Sequence, residues 1–127
     1  MSALDDVLKF TGRLALAAIF LWAAWGKVNN PSGTISHIQS AGIPAPGLAF
    51  VLAVAIESVC GLCVAIGWRV RYAAFALFLF LIPATYFFHF DLSSRIQVIM
   101  ALKNAAIMGG LLILAAAGPG RISVDKS

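Results

Sequence analysis

Ionisable side chains stand inside stretches of this sequence that are otherwise apolar. Glu57 lies in the segment AIESVCGLCVAIG, residues 55–67, and Lys103 with Asn104 lies in the later segment VIMALKNAAIMGGLLILAAAG. A carboxylate and an amine can pass a proton between them, and with an amide nearby they can hold the polar head group of a small molecule. Which chemistry is open to them depends on whether the segments lie in water or in a membrane.

The composition favours a membrane. Of the 127 residues, 61% are hydrophobic and 11% are charged, whereas a soluble domain has about 45–50% apolar and about 25% charged residues. The nine Lys and Arg outnumber the five Asp and Glu, but they stand one or two at a time between apolar runs, which is typical of charges that orient membrane helices. The sequence therefore predicts one membrane domain, residues 1–127, surrounded by a lipid bilayer and with no nucleic acid partner.

Four apolar segments are long enough to form helices that cross a bilayer, which takes about 20 residues. They cover about residues 4–28, 47–67, 72–90 and 96–117. The turn between the second and third is so short that these two must run antiparallel. The longer loop before the second span has apolar residues three apart, which predict a short helix on the membrane surface. The expected fold class is all-α, an antiparallel four-helix transmembrane bundle.

The distribution of basic residues predicts the orientation. The side that holds both termini and the turn between spans two and three carries six of them, Lys9, Arg13, Arg69, Arg71, Arg121 and Lys126. The opposite side carries Lys27 and Arg95. Because short loops rich in Lys and Arg stay in the cytoplasm, both termini are predicted to be cytoplasmic.

Glu57 is predicted to lie near the middle of the bilayer, since ten residues of span two at about 1.5 Å each place it roughly 15 Å from the outer surface. A lone charge there costs on the order of 3 kcal/mol, so the carboxylate must face the bundle and have a partner. Lys103 is the first choice of partner and Lys27 is the second. Small residues recur four apart beside Glu57 and again in span four, which predicts that spans two and four approach each other.

Two interpretations of these charges remain open. In the first, Glu57 either forms an ion pair with its partner or is protonated, and it only fixes how the helices fit together. In the second, the side chains line an outward-facing polar pocket. Its catalytic residues would be Glu57, Lys103 and His89, and its ligand-binding residues Lys27, Tyr86 and Asn104. For His89, which stands at the membrane interface, a purely structural role competes with the catalytic one.

Neither the histidines nor the cysteines predict a metal site. His37 and His89 lie on different outer segments, and Cys60 and Cys63 lie far from both in span two. The C-x-x-C spacing is that of dithiol redox centres, which usually occupy an exposed helix N-terminus. Deep in an apolar helix the two thiols are interpreted as packing groups, with a redox role as the alternative.

A series of short motifs runs through the chain. In order, they are the Arg13–Lys27 run that ends in W-G-K, G-I-P-A-P at 42–46, Glu57, G-W-R-V-R at 67–71, His89, K-N at 103–104, and G-P-G-R-I-S-V-D at 118–125. Together they resemble the DoxX family of small four-helix membrane proteins, over nearly the whole chain. The resemblance implies a bacterial inner membrane protein. Relatives are linked to thiosulfate:quinone oxidoreductase and to membrane complexes that handle oxidative stress, and many members have no assigned activity.

The resemblance leads to one function hypothesis, and the residues leave others open. In the first, the chain is a membrane subunit of a quinone-linked redox or oxidative-stress system, which holds a quinone head group and works with other membrane or soluble redox subunits. The sequence has no motif for haem, flavin or iron–sulfur ligation, so any carrier other than quinone would belong to a partner. In the alternative, the chain is a non-enzymatic anchor or assembly module. A transporter would require a homo-oligomer, and whether the chain is an enzyme is left open.

Overall fold

The computed structural model describes residues 2–88 and 91–125, and every regular element in these ranges is a helix. In chain order the helices are α1 (Ala3–Asn29), α2 (Pro31–Ser40), α3 (Pro46–Ile66), α4 (Val70–Phe88) and α5 (Arg95–Ala117). All except α2 are long and apolar enough to cross a membrane. The all-α class and the four membrane-crossing helices are confirmed. These helices begin and end within two residues of the predicted spans.

Residues that cap helices stand at the boundaries. The Oγ atom of Ser2 accepts a hydrogen bond from the backbone N–H of Asp5, 3.1 Å away, and so caps α1. The side chain of Asn30 accepts from the backbone N–H of Gly33 at 3.3 Å and caps α2 in the same way. Gly67 ends α3 with a φ of 80°, a left-handed conformation that glycine adopts at little cost. These caps fix the lengths of the helices that carry the candidate site.

The loop between α1 and α3 contains the predicted short helix, α2. This helix rests against α3 and α1. Ile38, which is 5% exposed, is its buried anchor. The apolar spacing therefore sets which face of α2 turns toward the bundle, and its position on a membrane surface stays a prediction.

The long helices pack in the order α5, α4, α3, α1, and α1 touches α5 over a short stretch. Phe20, Leu77 and Leu111 are among the core residues where these helices meet. Helices α3 and α5 are not in contact, so the predicted approach of spans two and four is wrong. The small residues of α3 receive α1 instead, because a Cβ placed on Gly61 would lie 3.2 Å from Leu21 and 3.4 Å from Phe20.

Residues 118–125, which we call the closing segment, fold back over the end of the bundle where α1 begins and α3 ends. Two of its backbone N–H groups donate to the carbonyls of Ile66 and Gly67, at 3.0 and 2.9 Å. The guanidinium of Arg13, on α1, donates to the carbonyl of Ile122 at 2.6 Å, and Arg13 is only 1% exposed. The closing segment therefore joins α1 to the turn between α3 and α4.

A charged turn precedes α5 at the other end of the bundle. The Oδ1 atom of Asp91 accepts hydrogen bonds from the backbone N–H of Ser93 at 3.1 Å and from its hydroxyl at 2.5 Å. Both bonds favour the ionised carboxylate and lower the pKa of Asp91 below its ordinary value. The turn is therefore held by a carboxylate that is ionised at neutral pH.

Candidate functional site

Glu57 on α3 and Lys27 on α1 form an ion pair. The Nζ atom of Lys27 lies 2.5 Å from Oε1 of Glu57. The side chain of Glu57 is 5% exposed and that of Lys27 is 25% exposed. The carboxylate therefore faces inward and meets a cation from another helix, and the second choice of partner is the correct one.

The first choice of partner for Glu57, Lys103, is wrong. Lys103 is exposed on α5, and α5 does not touch α3. Depth along a helix, on which that choice depends, does not determine which helices are neighbours. The packing order places α1, and so Lys27, beside Glu57.

A cavity of about 300 Å³ lies beside the ion pair, and we call it the Glu57 cavity. Its polar lining consists of Lys27, His37, Glu57 and Asn104, which come from α1, α2, α3 and α5. The remaining walls are apolar and come from α1, α4 and α5. Ligand pockets usually measure about 300–1,000 Å³, so this volume suits a small head group.

His37 closes one side of the Glu57 cavity. Its ring stacks on the ring of Phe88, with centroids 4.9 Å apart and planes 20° from parallel, and Phe88 also lines the cavity. The sequence pattern does not predict His37 as a site residue. The sequence does contain a clue, because the apolar residue next to it, Ile38, marks the buried face of α2. The apolar spacing does not show which helix that face covers.

Asn104 enters the Glu57 cavity from α5. Its side-chain amide donates a hydrogen bond to Oγ1 of Thr85 on α4 at 3.0 Å. This bond orients the amide and joins α5 to α4 at the level of the cavity. Asn104 and Glu57 therefore line the same cavity, although their helices are not in contact, and the role of Asn104 in binding a ligand stays a prediction.

Two other predicted site residues, Lys103 and Tyr86, do not line the Glu57 cavity. Lys103 is exposed on α5. Tyr86 is 61% exposed, and its ring packs edge-to-face on Phe87. His89 lies outside the described residues. The catalytic role of Lys103 and the binding role of Tyr86 stay predictions, and this geometry does not favour them. The catalytic role of His89 also stays a prediction.

Cys60 and Cys63 are both free thiols and are half-buried. They line a separate groove of about 230 Å³, together with Trp68, Arg69 and Tyr72. Within the described ranges, no group of three or more His, Cys, Asp or Glu side chains is placed to hold a metal ion. The thiols are thus neither disulfide-bonded nor part of the Glu57 cavity, and a redox role for them stays an alternative.

Comparisons with known proteins identify similar chains. The sequence profile of the family described as DoxX matches residues 8–90. The Escherichia coli K12 inner membrane protein YqjF is 31% identical over 126 residues, which cover 99% of this chain and 95% of that protein. The inner membrane protein YphA of the same strain is 32% identical over 130 residues, covering 98% of this chain and 92% of that protein. No solved structure matches.

Proposed function

Because this chain belongs to the DoxX family, we propose that it is the membrane subunit of a quinone-linked redox or oxidative-stress system and that its Glu57 cavity receives the quinone head group. It is a multi-pass protein of a bacterial inner membrane, as its relatives and its four membrane-crossing helices indicate.

The observation that carries the proposal is an ion pair set in the wall of a cavity whose other walls are mainly apolar. A quinone head group is a flat ring with two carbonyl acceptors, so it needs apolar walls and hydrogen-bond donors at its edges. Lys27 has three N–H donors, one of which Glu57 uses. The ring of His37 can donate one more, and Phe88 offers an aromatic surface beside it.

An apolar groove supports the same ligand class. This groove of about 450 Å³ lies between α3 and α4 and is lined by Leu52, Phe80 and Phe87 among others. Ala84 lines both this groove and the Glu57 cavity. A quinone carries a long apolar tail, and the groove would let that tail leave the cavity past Ala84 toward the lipid.

The ion pair supplies proton chemistry that fits such a ligand. When bound, a quinone takes up two electrons and two protons to become a quinol. Lys27 would donate one proton to a carbonyl oxygen within its reach, and the Glu57 carboxylate would then take up a proton from water and pass it to the neutral amine of Lys27. A second round of the same transfer would supply the second proton. In this proposal a partner subunit supplies the electrons, since the sequence has no motif for another electron carrier.

The test is equilibrium binding of a short-tailed quinone to the purified full-length protein in detergent micelles. We expect Glu57→Gln to bind it about tenfold more weakly, because Lys27 loses a charged partner whose hydrogen bond is worth about 1.5–3 kcal/mol. The matched control is Lys103→Met, which removes an exposed cation that does not line the cavity, and it should bind as the wild type does. No binding by the wild type, or equal binding by Glu57→Gln, would contradict the proposal.

A second candidate, a non-enzymatic anchor or assembly module, is favoured by the burial of Glu57. Its carboxylate already has Lys27 as a direct partner, so the pair satisfies its own charge. If the wild type binds no quinone while the pair is required for folding, the anchor role is the better description.

A further inference from the structure

Helix α5 leaves one side open along most of its length. Of the four membrane-crossing helices, it buries the smallest share of its residues. Its buried residues, Leu111 and Leu114, lie in its second half and belong to the core. Four exposed residues lie within about a third of the helix circumference, since each residue turns the helix by about 100°. We call them the α5 face, and they are Ile99, Leu102, Lys103 and Ala106.

Lys103 gives the α5 face a charge inside the membrane. It follows Arg95, the first residue of α5, by eight residues. This is about 12 Å along the helix, in a hydrocarbon layer about 30 Å thick. The distance is longer than the four-carbon stem of a lysine reaches, so snorkelling does not bring the ammonium to the surface. An exposed cation at this depth is costly unless an acceptor lies beside it.

This chain has no acid to pair with Lys103. No described residue forms an ion pair or hydrogen bond with it. Glu57 is paired with Lys27. The other acids lie toward the ends of the bundle and are Asp5, Asp6, Asp91 and Asp125. A second copy of the chain therefore brings no unpaired carboxylate to this depth. A symmetric dimer through the α5 face would instead bring two Lys103 side chains together, and like charges repel.

We propose that a transmembrane helix of another protein docks on the α5 face and pairs an Asp or Glu side chain with Lys103. Ionisable side chains within membrane helices pair with one another, so the carboxylate would lie at the same depth. The small side chain of Ala106 lets a second helix approach closely. Asn104, the next residue of α5, lines the Glu57 cavity, so the partner would stand beside that cavity. The docking surface requires no quinone.

The test measures how the purified full-length protein associates with synthetic leucine-rich transmembrane peptides in phosphatidylcholine vesicles. Energy transfer between a dye on the protein and a dye on the peptide reports the association. One peptide carries a single Glu at the depth of Lys103, and the other carries Gln at the same position. We expect the wild type to bind the Glu peptide about tenfold more tightly, because only this peptide gives the ammonium a charged acceptor.

Variants of α5 show whether Lys103 causes this preference. Lys103→Met should abolish it, and Lys103→Arg should keep it. The matched control is Arg95→Gln, which removes the exposed cation at the start of the same helix and should leave the preference unchanged. Equal binding of the two peptides by the wild type, or an unchanged preference in Lys103→Met, would overturn the proposal.

A steric variant tests the rest of the α5 face. Ala106→Trp should weaken binding of the Glu peptide, because the large ring would stand where the second helix packs. Ala55→Trp is the matched control, at an exposed alanine in the middle of α3, and should bind the Glu peptide as the wild type does. Equal effects of the two changes would show that the peptide does not dock on the α5 face.

Crosslinking in native membranes identifies the natural occupant of the α5 face. A benzophenone side chain in place of Leu102 should form an adduct with a membrane protein that has Asp or Glu inside one of its spans. Lys103→Met should lower the yield of this adduct several-fold. Adducts only with a second copy of this chain, only with lipid, or with a protein that has no such acid would overturn the proposal. None of these outcomes depends on quinone binding, so they are separate from the test of the proposed function.

Discussion

The Lys27–Glu57 ion pair stabilises the fold only while both side chains are present. When a charged group in apolar surroundings loses its partner, the free energy of unfolding falls by far more than the pair contributes. The reason is that the desolvation of the remaining charge is no longer offset. In this protein the two groups come from different helices, so the pair also fixes the height of α1 against α3. The stability of the bundle should therefore depend on keeping both charges or removing both.

We predict that Lys27→Met lowers the free energy of unfolding by about 3–5 kcal/mol, since it leaves the Glu57 carboxylate buried and unpaired. The double change Lys27→Met with Glu57→Gln should recover most of this loss. Denaturant unfolding in micelles, followed by tryptophan fluorescence, measures both values. Lys103→Met is the matched control and should unfold as the wild type does. If Lys103→Met is the destabilised variant and Lys27→Met is not, the pairing described here is wrong.

For single residues, the sequence predicts that Glu57 needs a cationic partner, but it does not predict which residue that partner is. The position of Glu57 in an apolar helix requires an inward-facing cation, whatever the arrangement of helices. The choice between Lys27 and Lys103 depends on which helix lies next to α3, and helices in lipid offer no apolar pattern that tells the inner face from the outer face clearly. His37 was missed for the same reason, because its position depends on where α2 docks.

Among the helices, the contact between α1 and α3 positions the candidate site. Gly61 lies one turn from Glu57 along α3, at the point where Phe20 and Leu21 of α1 come close. Membrane helices associate mainly through close packing, so small residues at such a contact let the backbones approach. The stripe of small residues was visible in the sequence, and only its partner helix was assigned wrongly.

We predict that Gly61→Leu lowers the free energy of unfolding by about 1–3 kcal/mol, because the added side chain overpacks the contact with α1. The same change should move Lys27 away from Glu57 and so lower the affinity of the Glu57 cavity for any ligand. Gly109→Leu, at a helical glycine with nothing within 4 Å of its Cβ, is the matched control. Thermal unfolding in micelles gives the comparison, and equal effects of the two changes would argue against a close α1–α3 contact at Gly61.

Helix boundaries, in contrast, follow closely from the sequence. Asn30 with Pro31, Gly67, and Gly118 with Pro119 interrupt apolar runs, and each of these positions ends or begins a helix. The backbone preferences of proline and glycine act locally, so they are independent of tertiary contacts. The order in which the helices pack is a long-range property, and the sequence alone did not settle it.

For the whole molecule, the distribution of basic residues predicts the orientation in the membrane. The end that carries the closing segment holds most of the basic residues, including Arg13, Arg69, Arg71 and Arg121. Loops and ends rich in Lys and Arg stay on the cytoplasmic side during insertion. The closing segment would then lie at the cytoplasmic side, and the Glu57 cavity would lie nearer the outer leaflet.

We predict that green fluorescent protein fused after Ser127 is fluorescent in bacterial cells and that alkaline phosphatase fused there is inactive, because fluorescence requires the cytoplasm and the phosphatase requires the periplasm. The matched control places the same reporters after Ser40, at the end of α2, where the outcomes should be reversed. An active phosphatase after Ser127 would show that the termini face outward and that the predicted orientation is inverted.

The bond between Arg13 and the carbonyl of Ile122 links the first membrane helix to a segment that the ribosome makes after the other three. While the chain is being synthesised, α1 enters the bilayer with a guanidinium whose protein acceptor does not yet exist. A nascent chain that stalls before residue 118 would leave this cation without the carbonyl of Ile122 as its acceptor. Arg13 on α1 therefore gains its backbone acceptor only after the closing segment has been synthesised.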